Sequence, residues 1–519
     1  MDQQLKRTGY WPLAVDARDQ EAQGRHGEAA AIRYEGGAVF DGVTSKIELP
    51  EMTETDGSKP FTLSMQFKMD DRQGTLPGGL CSRYEEQTMT GWHLSILTQA
   101  GVTTTQSNWR NLQFGWTGDS TTERWKLRGT PGNCRQICAL CVYEDHLYAG
   151  TFDDAHDHRG RVYRLGEDDR WIDCGHPDDS NAVRSLAEYN GRLYAGTMRY
   201  KAGGSKLPES PNQIPGGKVF RYEGGQKWSL FAEIPGSDSI GNLTVYEGRL
   251  LVMSYHTPGI YAFTEDGTCE LLGAPGPEGN TRTHTLAPFR GRLYAGCNET
   301  QGIYSRTLSE PWAYNGTVSK CDQVYSFTVY HNELMMGMWR EARMNKYAGG
   351  TDWIDCGRMG EELEVMGVGM FNGRLYAGTL PGGHVYRYEG DRRWELAGVL
   401  ESPDENIVYR RVWSMAVYRG ELYAGTLPGG KVWSMYKDPL ATCDRSLSED
   451  WHRAMIAYDL HSLKLYVDGQ FVSAAAVPQQ GAIRTGHIPF VLGKGPQSHF
   501  SGVIREVELF EGVSPTVRK

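Results

Sequence analysis

No stretch of this 519-residue chain approaches the ~18 consecutive apolar residues that a membrane-crossing helix requires, so no such span is expected. An excess of positive charge is lacking as well. The 54 Lys and Arg are outnumbered by 64 Asp and Glu, and the net charge of −10 argues against nucleic acid or an anionic membrane as partner. The opening MDQQLKRTGYWPL has none of the apolar core of a secretory signal; the chain is expected to be intracellular, or secreted after removal of a leader. Zinc-type spacing of His and Cys is missing, so no catalytic metal and no cofactor is expected, while a structural calcium ion held by loop carboxylates and carbonyls is compatible with the composition. Cys134, Cys138 and Cys141 are the one run that suggests a metal, but on a strand Cys138 and Cys141 point to opposite faces. Cys174 and Cys356 hold the same place in two W-I-D-C-G strands of different units. The ten cysteines are therefore expected to be free thiols, which favours a reducing compartment.

What the chain does have is a repeat. A strand of the type L-Y-A-G-T begins at Leu147, Leu193, Leu250, Leu293, Leu334, Leu375 and Leu422, at spacings of 46, 57, 43, 41, 41 and 47 residues. Four residues before each anchor stands an aromatic: Tyr143, Tyr189, Tyr246, Phe289, Tyr330, Phe371 and Tyr418. A second strand (RVYRL, KVFRY, HVYRY) and a tryptophan strand (RWIDCG, KWSLFA, RWELAG) follow most anchors. Four short strands per 40–50 residues, with alternation of period two, predict a β-propeller of seven blades. The 64 glycines and 28 tyrosines suit such an all-β, turn-rich chain.

The flanks carry further strands. Before the repeat stand AVFDGVTSKIELP, FTLSMQFKM and GWHLSIL; after it, WHRAMIAYDLHSLKLYVDGQFV and FSGVIREVELF. Phe40-Asp41-Gly42, Trp451-His452, Leu465-Tyr466-Val467-Asp468-Gly469 and Phe500-Ser501-Gly502 with Ile504 to Val507 resemble the laminin-G-like, concanavalin A-like jelly roll. The resemblance implies that first and last strands pair, so that residues 1–118 and 447–519 form one sandwich interrupted by a propeller at 123–436. Trp125, in a tryptophan strand with no repeat before it, is expected to complete the last blade beside Val432 and Trp433. Both ends of the insertion would then leave from one blade, close together in space.

Candidate function lies where the repeats differ. Position minus ten from the anchor is apolar or Thr, and position minus eight is small: Ala139, Ser185, Asn242, Thr285, Ser326, Gly367, Ser414. Position minus nine holds Cys138, Arg184, Gly241, His284, Tyr325, Met366 and Trp413, a chemically mixed set that packing alone would not select. The loops after the anchors add Arg199, Tyr200, Tyr255, His256, Trp339, Arg340 and Arg343, with Asp153, Glu299 and Glu341 as weaker candidates. Unit two carries a 20-residue excursion, MRYKAGGSKLPESPNQIPGG, of the kind that is often functional. Arg410 and Arg411 enter unit seven. All these residues are expected on one face around the channel.

This residue set suits an anionic oligo- or polysaccharide. In β-elimination from a uronate, Arg184, Arg199, Arg340, Arg410 and Arg411 would neutralise the carboxylate, and Tyr200, Tyr255, Trp339 and Trp413 would hold the sugar. His284, Tyr325 and His256 would move protons. In architecture and residue types the chain resembles propeller lyases of the ulvan and rhamnosyl-glucuronate kind, and the resemblance implies polysaccharide lyase activity. A propeller glycosidase and a non-catalytic, lectin-like protein remain alternatives. No Asp-box of the sialidase type is present, and no pair of carboxylates stands out for glycoside hydrolysis.

Overall fold

Seven hairpins of one design organise the centre of the molecule. The computed structural model describes residues 5–21, 25–50, 52–70, 74–118, 122–299, 302–403, 407–478 and 485–513, with strands throughout and three short 3-10 turns. In each hairpin both turn residues take positive φ, as Asn190 (48°) and Gly191 (66°) do, and Glu144-Asp145 and Arg419-Gly420 do at the two ends of the ring. Such turns match the right-handed twist of the strands they join. They place the innermost strand of a unit antiparallel to its L-Y-A-G-T strand, as Ala182–Tyr189 lies against Arg192–Met198.

Seven four-stranded antiparallel units result, and each innermost strand packs beside the next. The seventh, Arg411–Tyr418, packs beside the first, Gln136–Tyr143, so the ring is closed. Closure is helped by the repeated tyrosine. The hydroxyls of Tyr143, Tyr189, Tyr246 and Tyr330 donate to the turn carbonyls of Gly191, Gly248, Gly291 and Gly373 in the following unit, at 3.0–3.2 Å. Tyr418 donates to Asp145 at 3.0 Å, tying unit seven to unit one. The outer tryptophans hold neighbouring units in the same way: Trp171 Nε1 donates to the Arg128 carbonyl and Trp125 Nε1 to that of Ala397, both at 2.8 Å. Strand Arg124–Leu127 pairs with Val432–Tyr436, Leu127 opposite Trp433, so residues from both ends of the insertion share the last unit.

Strands from both flanks alternate within the two sandwich sheets. Phe61–Met69 lies between Ser501–Glu511 and His452–Tyr458, and Lys6–Trp11 pairs with Ser501–Glu511. Alternate side chains of Phe61–Met69, namely Phe61, Leu63, Met65, Phe67 and Met69, face the core with at most 2% exposure. Each stabilises the fold by about 1.5–3 kcal/mol relative to an exposed position. The return segment joins the sandwich at Leu440, ahead of the expected 447, because Leu440–Thr442 extends the second sheet beside Gln113–Gly115.

The sandwich caps the end of the ring where the hairpin turns lie; Tyr84 Oη, for example, donates to the Gly373 carbonyl at 2.5 Å. From there residues 100–107, the connection between strands Thr90–Gln99 and Asn108–Thr117, enter the central channel. This segment and its flanks hydrogen-bond to all seven innermost strands. Ser107 O accepts from Val142 N, Thr104 Oγ1 donates to Arg184 O, and Thr103 O accepts from Asn242 Nδ2. Gly101 O accepts from both Thr285 Oγ1 and Phe327 N, and Gln99 Oε1 from Met370 N. Thr103 Oγ1 donates to Trp413 O at 2.7 Å. No residue from Val102 to Ser107 is more than 1% exposed, so the channel is filled. The small residues at position minus eight make room for this plug.

Candidate functional site

The mixed ring at position minus nine has a backbone cause. In every innermost strand the pairing skips at that residue: between Ile137 and Ala139, Val183 and Ser185, Ile240 and Asn242, Thr283 and Thr285, Val324 and Ser326, Val365 and Val368, and Val412 and Ser414. Each minus-nine residue therefore belongs to a β-bulge, which frees its side chain from the ladder and re-aims it. Beside the plug the seven bulges divide the channel mouth. Met366 joins Tyr325, Leu380 and Trp413 in an apolar cluster, and Cys138 joins Phe152 and Met198 in another. The glycine at 241 leaves room that Tyr255 occupies.

Between these clusters lies a cavity of about 360 Å³, lined by Arg184, Tyr200, Lys201, Ser205, Tyr255, His256, His284, Gln323, Tyr325, Arg411 and Trp413 among others. His284 sits at its centre. Its ring lies 4.5 Å from that of Tyr325, 5.6 Å from Tyr255 and 6.2 Å from Trp413. The Arg184 guanidinium stacks 4.0 Å over Trp413, and that of Arg411 approaches the same indole at 5.6 Å. The unit-two excursion folds over the rim, with Tyr200 Oη hydrogen-bonded to Ser205 Oγ at 2.5 Å.

Buried polar atoms without partners gather here. Both ring nitrogens of His284, Nε and Nη1 of Arg184, Nε of Arg411, Nε1 of Trp413 and Oε2 of Glu364 make no hydrogen bond within the protein. Because buried polar groups are nearly always satisfied, such a concentration marks a place where ligand or water completes the bonding. Burial holds the His284 imidazole well below its usual pKa, and the charges of Arg184, Arg411 and Arg282 add to this, so the ring is neutral. Burial keeps the Tyr325 phenol protonated far above its usual range, with the Glu364 carboxylate raising it further.

Eight of the twelve residues singled out from the sequence line this cavity: Arg184, Tyr200, Tyr255, His256, His284, Tyr325, Arg411 and Trp413. Arg199 stands behind it, paired with Asp238, which also accepts from His256 Nδ1 at 2.6 Å. The remaining three lie outside the lining. Arg340 pairs with Asp322 at 2.8 Å and stacks on Trp339; Trp339 packs on the apolar side with Met366, and Arg410 bridges to Gly382. The weaker acidic candidates are engaged in ion pairs: Asp153 with Arg135 and His158, Glu299 with Arg282, Glu341 with Lys320 and Arg343.

Sequence reasoning missed Lys201, Gln323, Asp238 and Glu364. Gln323, Glu364 and Arg411 all stand eleven residues before an anchor, in a second ring (with Gln136, Ser239 and Arg282) that the same alignment of repeats contains. That offset was the available signal. Among the described residues no group of three or more His, Cys, Asp or Glu side chains is placed to hold a metal.

A larger groove of about 860 Å³ lies where the sandwich meets units one and seven, lined by Asp145, Arg419, Asp444, Arg445, His452, Asp468 and Phe471 among others. Its polar groups already pair with one another: Arg445 with Asp145, His452 with Asp468, and Asp444 with the Arg419 amide. Two buried oxygens there, Thr442 Oγ1 and Asp444 Oδ1, make no hydrogen bond within the protein, fewer than at the channel mouth.

Residues 423–514 match the family model described as the concanavalin A-like lectin/glucanases superfamily. The return half of the sandwich is similar to these proteins. No curated protein matches the chain. Among solved structures, a streptogramin B lyase covers 61% of this chain and is itself covered to 98%, at 10% identity and a TM-score of 0.48. Virginiamycin B lyase from Staphylococcus aureus gives 61% and 99%, at 9% identity and 0.47. YCF48 from Cyanidioschyzon merolae gives 60% and 98%, at 11% identity and 0.43. At these identities the similarity is one of fold alone.

Proposed function

We propose that the protein binds a uronate-bearing glycan at the channel mouth and cleaves it by β-elimination. One observation carries this reading. Two guanidiniums with unpaired nitrogens, Arg184 and Arg411, flank a neutral histidine in ring contact with a protonated tyrosine. The carbohydrate class suggested by the sandwich supports it. The cavity lining contains no Asp or Glu, which disfavours the two-carboxylate chemistry of a glycosidase at this place.

In this reading the substrate carboxylate lies between Arg184, Arg411 and Lys201. Its charge cancels the cations that depress His284, so binding raises the basicity of the imidazole when a base is needed. His284 takes the proton on the carbon next to the carboxylate. A carbon–carbon double bond forms, the glycosidic carbon–oxygen bond breaks, and Tyr325 gives its proton to the departing oxygen. His256, held by Asp238, is a second proton acceptor at the mouth, and Trp413 and Tyr255 offer faces to the sugar.

The test is a panel of uronate oligosaccharides, followed by ultraviolet absorbance of the conjugated acid. His284→Ala and Tyr325→Phe should each lower turnover by about 10²-fold or more while the fold is kept. Undiminished turnover in both variants would exclude the assignment. Glycan binding without turnover by the parent protein would establish the lectin-like alternative.

A further inference from the structure

Resting on the anionic-glycan reading above, we infer that the pocket is blind and takes the end of a glycan chain, not its middle. The reason lies in the sandwich. In an open propeller channel a linear polymer has room to pass beyond the ring of bulged residues. Here residues 100–107 fill that space and, together with Gln99, bond to every innermost strand. The hydroxyls of Thr103 and Thr104 reach the main-chain carbonyls of Trp413 and Arg184, residues whose side chains line the pocket. The tip of the sandwich hairpin therefore stands behind the lining, against the main chain of the bulged residues whose side chains face the pocket.

The walls limit the ligand as well. On the unit-two side the excursion stands over the pocket with Tyr200, Lys201 and Ser205; on the opposite side Met366, Leu380 and Trp339 close the space with apolar packing. The volume of about 360 Å³ is near the lower end of ligand sites, which run from about 300 to 1,000 Å³, and holds about two sugar rings at most. One direction stays open. His256 also lines a second, shallower hollow of about 600 Å³ on the rim of units three and four, with Pro258, Asn280, Thr281 and Arg282. A chain whose last ring sits between Arg184, Arg411 and His284 leaves across His256 and over this rim. Cleavage in such a site removes units from a chain end, and the sandwich sets how many rings enter.

The experiment measures binding, so that it does not depend on turnover. Tyr325→Phe is titrated calorimetrically with glucuronate-containing hexasaccharides in three forms: uncapped, blocked by a bulky group at the non-reducing end, and blocked at the reducing end. One block should weaken binding at least about tenfold, roughly 1.4 kcal/mol, while the other leaves it unchanged. If both blocked forms bind like the uncapped one, the site accepts the middle of a chain and the inference is overturned. If the uncapped form and free glucuronate both fail to bind, the anionic-glycan reading falls, and the inference with it.

Discussion

The Asp238 carboxylate accepts a hydrogen bond from His256 Nδ1 at 2.6 Å while holding Arg199 on its other oxygen. Burial pushes the Asp238 pKa up, but hydrogen bonds from Ser239 and His256 and the nearby cations outweigh it and bring the value down to about 2. His256 is lowered by burial despite this partner. The arrangement fixes the ring and stabilises its protonated form, as a buried acid does for a catalytic histidine.

Asp238→Asn should therefore lower the His256 pKa further, seen as a downward shift of its imidazole titration by NMR. On a substrate that is turned over, kcat/KM should fall by about tenfold and the acidic limb of the pH profile should move to lower pH. An unchanged titration would show that Asp238 serves Arg199 alone.

Ring closure gives a second prediction. Tyr418→Phe removes the hydrogen bond to the Asp145 carbonyl that joins unit seven to unit one. Phe289 and Phe371 hold the same repeat position, so the ring itself fits. Stability should drop by about 1 kcal/mol, the net worth of one such bond, with a lower Tm. An equal loss from Tyr143→Phe would show that closure has no special weight among the latches.

The joint between the two parts should respond to pH. Burial raises the Glu188 pKa from 4.5 to about 7, although Ser446 and Arg110 pull it back. Ser446 of the returning chain donates to this carboxylate on unit two. The folded state thus holds the proton more tightly than the unfolded chain. The resulting stability is fully present below about pH 4.5 and is lost as pH rises through about 7. Chemical denaturation at about pH 5 and about pH 8 should show the difference, and Glu188→Gln should reduce it. A residual slope is expected from Asp444, which burial raises to about 6. A pH dependence identical in parent and variant would remove Glu188 from this role.

Local chemistry made much of the fold legible. The period of the L-Y-A-G-T strands, the hairpin turns and the alternation in FTLSMQFKM are set by residues close in sequence, as is the mixed set of side chains at position minus nine. The pairing of Trp125 with the strand after Val432 could be anticipated because a strand without a repeat needs a partner. What tertiary structure alone decided is how these pieces meet. A bulge arises when two strands differ in local count, and the L-Y-A-G-T pattern reads the same with or without one. So the re-aiming of Arg184, His284, Tyr325 and Trp413 was hidden. The plug is more distant still: GVTTTQS reads as an ordinary polar loop, and its hydroxyls acquire their purpose when seven strands from elsewhere in the chain surround them. For the same reason Arg340 and Arg410, alike in type to Arg184 and Arg411, fall outside the pocket. Sequence fixes which residues are available at the mouth of the ring; strand register and the docking of the sandwich select those that face one another.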